Sequence, residues 1–256
     1  MSFRVQVDVT NPGQFFACCG LLELATRLAG DATAHFEGAH FVVAAGCTLS
    51  GLLDRWTSTR LVQVDPEDDA SSPIYLPPPF DLRLDWWKDA DAGGRDLKVW
   101  AGTMQSVRIA QAMVASLRDP ELHAEDLFAR GFIVYDPDEP TKKVEPFYFD
   151  ARRAPNAHSR DVGFSPNDLE LTTTAFPAVE ALCLVGLQRC RPAPTEQKRI
   201  FIYRTWATPL PISLAAPVVS AAVPMAGTRT YRFENWFRTG QKKHKAFRSA
   251  VSIEGR

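Results

Sequence analysis

The short signatures that announce an enzyme or a cofactor site are missing from this chain. Its five histidines, His35, His40, His123, His158 and His244, form no HExxH or HxH pair, and no cysteine or histidine cluster has zinc spacing. Neither GxGxxG nor the GxxxxGK loop occurs, so no glycine-rich phosphate cradle is present, and the GxSxG turn of a serine nucleophile is absent as well. No metal and no cofactor is implied. There is no apolar run of about eighteen residues, and the N-terminus opens on an alternating stretch rather than on a basic segment leading into an apolar one. The expectation is a chain with no membrane span and no secretory signal, working in the cytoplasm.

Cysteine usage points the same way. Cys18, Cys19, Cys47, Cys183 and Cys190 are an odd number without CxxC spacing, and most lie in apolar surroundings, which suits reduced thiols packed in a core. The vicinal Cys18-Cys19 pair sits two turns inside an apolar segment, where desolvation opposes the thiolate and the helix dipole has faded.

What the chain does have is organised around its first forty residues. Phe3, Val5, Val7 and Val9 alternate with Arg4, Gln6, Asp8 and Thr10, the period of a strand, and run into Asn11-Pro12-Gly13-Gln14. Asn11 is placed to cap a helix, with Pro12 at its first position and Gln14 reaching back. The helix should run to about Leu28 and stop at Gly30. Its residues Phe15, Phe16, Ala17, Cys18, Cys19, Leu21, Leu22, Leu24 and Ala25 leave almost no polar face, which predicts enclosure on most sides.

Further on, residues 35–45 read as one strand, 48–56 as a short helix with Thr48 or Ser50 near its cap, and 61–64 as a short apolar run. The acidic, proline-flanked stretch 65–73 reads as a loop, and 80–86 as the clearest strand of the middle region. Residues 102–118 carry a helical stripe of Met104, Val107, Ala110, Val114 and Leu117. Short strands are expected at 132–135 and 147–149, a helix from Pro177 to about Arg191, and strands at 200–206 and 231–237. Residues 214–223 fit a close-packed helix or an apolar strand equally. The fold class is α+β, with mixed or antiparallel sheet elements packed around a buried N-terminal helix. Residues 1–194 form an acidic body and 195–252 a basic C-terminal portion continuous with it. Residues 253–256, Ile-Glu-Gly-Arg, match a protease recognition sequence of the kind added to recombinant chains.

The net charge of −1 conceals a polarity. Residues 195–256 hold eleven Lys/Arg against three Asp/Glu, or +8, which leaves −9 for residues 1–194. Segregation of this kind suits a surface that meets a polyanion, while a single charged run is more often only a solvated face. Within the basic portion, residues 228–248 interleave Tyr231, Phe233, Trp236 and Phe237 with Arg229, Arg232 and Arg238, followed by Lys242, Lys243, His244, Lys245 and Arg248. Cations neutralise phosphates and aromatic faces stack on splayed bases, so the mixture suits single-stranded or irregular nucleic acid. An ordinary hairpin with its aromatics turned to the core fits the pattern equally well. Arg199 and Arg204, with Lys198, Arg152 and Arg153, extend the same surface if the fold gathers them.

Several stretches taken in order resemble a known family: VDVTNPGQFFACCGLLELATRL, LDWWKD followed by LKVWAG, GFSPN, PAVEALCLVGLQRCRP, YRTWATPLP and HKAF. They are similar to the type I-G (formerly type I-U) CRISPR-associated proteins that accompany the backbone and pre-crRNA-processing subunits of that system. The first stretch also resembles the opening of Cascade large subunits. The resemblance implies a non-catalytic subunit of an RNA-guided surveillance complex, large-subunit-like, or with a guide-end or accessory role. Its implied partners are the CRISPR guide RNA, target DNA near its protospacer-adjacent motif, and the other Cascade subunits.

Two other readings stand beside it. His244 between Lys243 and Lys245 offers a base and cations to a metal-independent endoribonuclease that trims the guide precursor. A structural adaptor without nucleic-acid contact needs none of these side chains.

Overall fold

The computed structural model describes residues 1–68, 71–102, 104–120, 122–154, 174–238 and 244–253. Strand β1 (Ser2–Gln6) leads to helix α1 (Pro12–Ala29), then β2 (Thr33–Glu37), β3 (His40–Ala44), α2 (Leu49–Thr57), β4 (Val62–Gln63), β5 (Ile74–Leu76) and β6 (Leu82–Leu84). After a short helix α3 (Gly94–Leu97) come α4 (Ser106–Ala115) and α5 (Pro177–Arg189), β7 (Ala193–Pro194), β8 (Ile200–Thr205), α6 (Ile212–Val219), β9 (Arg229–Phe237), β10 (Lys245–Phe247) and β11 (Val251–Ile253). The class is α+β with antiparallel sheets in the orders β1-β3-β2, β4-β5-β6 and β10-β9-β8-β7, where β11 joins the β9 edge beside β10.

Helix α1 starts where Asn11 places it. The Asn11 Oδ1 accepts the Gly13 amide at 3.1 Å, and Gly30, at φ 85, ends the helix by donating its amide to the Thr26 carbonyl. The Gln14 carboxamide reaches back farther than a capping box requires and accepts the Asp8 amide at 2.8 Å. Residues from Pro12 to Ala25 are buried. The helix packs against α5 at a crossing where glycine is required on both sides. A Cβ at Gly20 would lie 2.0 Å from the Leu182 carbonyl oxygen, and one at Gly186 would lie 1.9 Å from that of Phe16.

One connected core of buried side chains runs from Val5 to Ala250, so the acidic and basic portions share it. On one side of the α1–α5 pair, Phe15 stacks on Phe36 and Tyr203, and Phe16 meets Tyr203 and Phe233. The N-terminal and C-terminal sheets are stitched by Ala34 to Leu210 backbone bonds and by the Trp206 indole, which donates to the Ala34 carbonyl at 2.7 Å. On the other side Trp86 donates to the Leu184 carbonyl, and the Gln188 side chain accepts the amides of Asp85 and Trp86.

Three segments differ from the sequence reading. Residues 35–45 are two strands, because Gly38 at φ 58 turns the chain between β2 and β3. The strand expected over 80–86 pairs only over Leu82–Leu84, since Trp86–Lys88 coils into a single 3₁₀ turn. Around 132–135 there are isolated bridges to Ala175 and Lys143, and 147–149 forms no strand. Of the two alternatives open for 214–223, the structure takes the helix: α6 carries Pro217 inside it and ends at Val219, with 220–223 turning out of it.

Four of the cysteines, Cys18, Cys19, Cys183 and Cys190, are buried and all five are free. Burial pushes the thiols of Cys18, Cys19 and Cys183 well above the usual cysteine range. Among the described residues no helix is long and apolar enough to cross a membrane, and no cluster of histidine, cysteine and carboxylate side chains could hold a metal ion.

Candidate nucleic-acid interface

Period-two alternation along β9 divides the aromatic and cationic residues between two faces. Tyr231, Phe233 and Asn235 point inward, where Phe233 packs on Phe201, Tyr203 and Phe247, and Tyr231 stacks on Tyr203. Thr230, Arg232, Glu234 and Trp236 point outward, either exposed or half-buried. The aromatic content of this stretch is therefore mostly core, and Trp236 is its outward ring.

Neighbouring strands complete the outer face through their register. On β8, Ile200, Ile202 and Arg204 stand opposite Glu234, Arg232 and Thr230. On β11, Val251 and Ile253 stand opposite Arg232 and Thr230. The Arg248 guanidinium lies 5.3 Å from the Trp236 ring centroid and 3.3 Å from the Glu234 carboxylate. A concavity of about 620 Å³ opens here, lined by Ile200, Arg232, Trp236, Arg248, Val251 and Ala154 among others. Among the described residues, three arginines, Arg204, Arg232 and Arg248, face one carboxylate, Glu234, across this surface. The Arg248–Glu234 pair is exposed and contributes about 0–1 kcal/mol, so a phosphate can displace it at little cost.

The predicted residues fall into distinct groups. Arg232, Trp236 and Arg248 line the concavity, and Arg204 lies on the same face with its Nε donating to the Thr230 hydroxyl at 3.3 Å. Arg229 is exposed at the start of β9, beside Ala207 and Gly227. Arg199, at φ 64, stacks its guanidinium 4.1 Å from the Phe237 ring centroid. Lys245 is half-buried at the other end of the sheet, with its Nζ 3.4 Å from the Arg95 carbonyl, and desolvation holds its ammonium pKa below the usual value. His244 is half-buried and its carbonyl accepts the Arg238 amide. Arg238 is only 6% exposed and lies 3.3 Å from the centroid of the Tyr148 ring, so it belongs to the interior rather than to the open surface. Lys242 and Lys243 lie outside the described residues, as do His158 and Arg160.

Arg152 is committed elsewhere. It grips the buried Asp150 carboxylate at 2.6 Å, donates to the Phe128 carbonyl and stacks on Phe176. Arg153 is 8% exposed. Sequence reasoning did not single out Ile200, Ile202, Val251 or Glu234, because aliphatic walls and one counter-charge carry no pattern; only strand register brings them to Trp236. Val251, at 60% exposure, is the most open apolar side chain of this face.

The arrangement offers a flat ring for a base, forked cations for phosphate oxygens, and aliphatic strips for sugar edges. Among the described residues it holds no cluster of side chains that could bind a metal ion. No family model matches the chain, and no curated protein and no solved structure matches it either.

Proposed function

We propose that this chain is a non-catalytic, large-subunit-like component of a type I-G CRISPR surveillance complex in the cytoplasm. The outer face of the C-terminal sheet lies along guide RNA or target DNA near the protospacer-adjacent motif, and the acidic remainder packs against neighbouring subunits. The observation that carries this reading is the gathering of Trp236, Arg204, Arg232 and Arg248 onto one solvent-facing sheet surface, with a single carboxylate among the described residues there. Base choice in such a complex comes from guide pairing, which leaves the protein to hold backbone and stack exposed bases. The ordered sequence resemblance supports the choice of complex, and the geometry supports the choice of surface.

Co-expression with the backbone and processing subunits and a guide, followed by ultraviolet crosslinking and peptide mapping, tests this reading. The expected crosslinks fall within residues 230–238 and 246–253. Crosslinks confined to β4, β5 and β6, or none while the complex is intact, reject the reading. Purified chain is expected to leave guide precursor uncut, and His244→Ala to make no difference.

A further inference from the structure

Beside the outer face lies a second cluster of positive charge. Arg153 and Arg238 are 8% and 6% exposed, and the Nε of each is buried without a hydrogen-bond partner. Neither forms an ion pair with a described residue. Both guanidiniums lie near enough to the Tyr148 phenol to favour its ionised form, although burial prevails and pushes that pKa up to about 12. Tyr148 itself adopts φ 74, a conformation that costs a non-glycine residue about 1–2 kcal/mol, and its carbonyl accepts the Phe247 amide. The backbone is therefore held in a strained shape that keeps the ring against Arg238.

The carboxylates close by are already engaged. Glu145 accepts the Tyr148 hydroxyl at 2.5 Å, Glu180 accepts the amides of Phe149 and Asp150, and Asp150 is gripped by Arg152 and Asn11. Two desolvated cations without a dedicated counter-ion among the described residues are costly, because a buried charge is tolerated when it is paired. The ring of Tyr148 offsets only part of that cost. Ala154, which adjoins Arg153 and packs with Tyr148, also lines the Trp236 concavity, so the cluster lies next to the proposed strand path.

We infer that Arg153 and Arg238 form a seat for one phosphate group of the bound nucleic-acid strand, with Tyr148 as its floor. The inference rests on the proposed reading for the source of the phosphate, and on the buried cations alone for the existence of the seat. Forked guanidiniums match a tetrahedral oxyanion better than an ammonium does. Thermal unfolding of the full chain in about 10 mM inorganic phosphate, against chloride of equal ionic strength, tests the seat without a variant. The expected result is a rise of about 3 °C in the midpoint with phosphate, lost in Arg153→Met and in Arg238→Met. Equal midpoints in phosphate and chloride overturn the seat, whatever the outer face binds. Single-stranded RNA is then titrated against wild type and the two variants. An affinity loss of about tenfold, with the salt slope smaller by about one, is expected. A phosphate shift with unchanged RNA affinity overturns the strand as the source, and leaves the reading of Trp236 and Arg232 to be judged by its own crosslinks.

Discussion

Substituting Gly186 by alanine probes the contact on which the whole core is hung. The added methyl would start 1.9 Å from the Phe16 carbonyl oxygen and 2.8 Å from the Gly20 amide nitrogen, both backbone atoms of a helix that is itself buried. No rotamer change relieves such a clash. To reach ordinary contact, α1 and α5 must separate by about 1 Å, which opens gaps beneath Phe15 and Phe16 and their aromatic neighbours. Overpacking in cores costs about 1–3 kcal/mol, and a backbone-on-backbone clash belongs at the top of that range. Alanine recovers up to about 1 kcal/mol of helix propensity. A net loss of about 2 kcal/mol or more remains, or about 5–8 °C in Tm for a chain of this size. Gly102→Ala is the control: nothing lies within 4 Å of its added methyl, so its stability should stay within about 0.5 kcal/mol of wild type. Urea and thermal denaturation read both. If Gly186→Ala proves as stable as Gly102→Ala, the helices do not touch as described.

Three other perturbations follow from the interior. Burial, reinforced by Asp150, raises the Glu180 carboxyl to about 7 against the pull of the backbone amides it accepts. A folded-state pKa above the unfolded one means the native state holds the extra proton, so stability falls as pH rises from about 4.5 through 7, on the order of 3 kcal/mol in all. Urea midpoints at pH 5 and pH 8 should diverge in wild type and converge in Glu180→Gln; parallel behaviour contradicts the shift. Asn11→Ala removes a helix cap and two further buried hydrogen bonds, to Ala151 and Asp150, and should cost about 3 kcal/mol in denaturation. Under native conditions a thiol reagent should modify Cys47 while leaving Cys18, Cys19, Cys183 and Cys190 untouched until denaturant is added.

Much of the frame is legible where local chemistry decides it. Asn11-Pro12 and Gly30 mark the ends of α1, Thr48 caps α2 through the Gly51 amide, and the prolines at 177 and 192 bracket α5. The β2–β3 hairpin hides in the residue pattern because Phe36 and Phe41 are both buried, so the apolar run masks the turn at Gly38. The α+β class follows from such local signals, whereas the pairing of β10 and β11 with one edge of β9 does not.

The candidate surface divides the same way. A mixture of rings and cations is visible between residues 228 and 248, but which of them face water depends on the parity of β9. That parity sends Tyr231 and Phe233 inward and leaves Trp236 with Arg232 outside. The partnership of Arg238 with Tyr148 spans ninety residues of sequence and is set by the core, which no spacing rule reaches.

The most direct test of the surface is the salt dependence of binding to single-stranded guide RNA by wild type, Trp236→Ala and the double variant Arg232→Glu/Arg248→Glu, with Arg55→Glu on the exposed side of α2 as control. The account predicts that Trp236→Ala weakens binding by about 1–3 kcal/mol with the slope kept, and that the double variant lowers the slope by about two. It predicts that the control matches wild type. Equal affinities and slopes for all four proteins would contradict it.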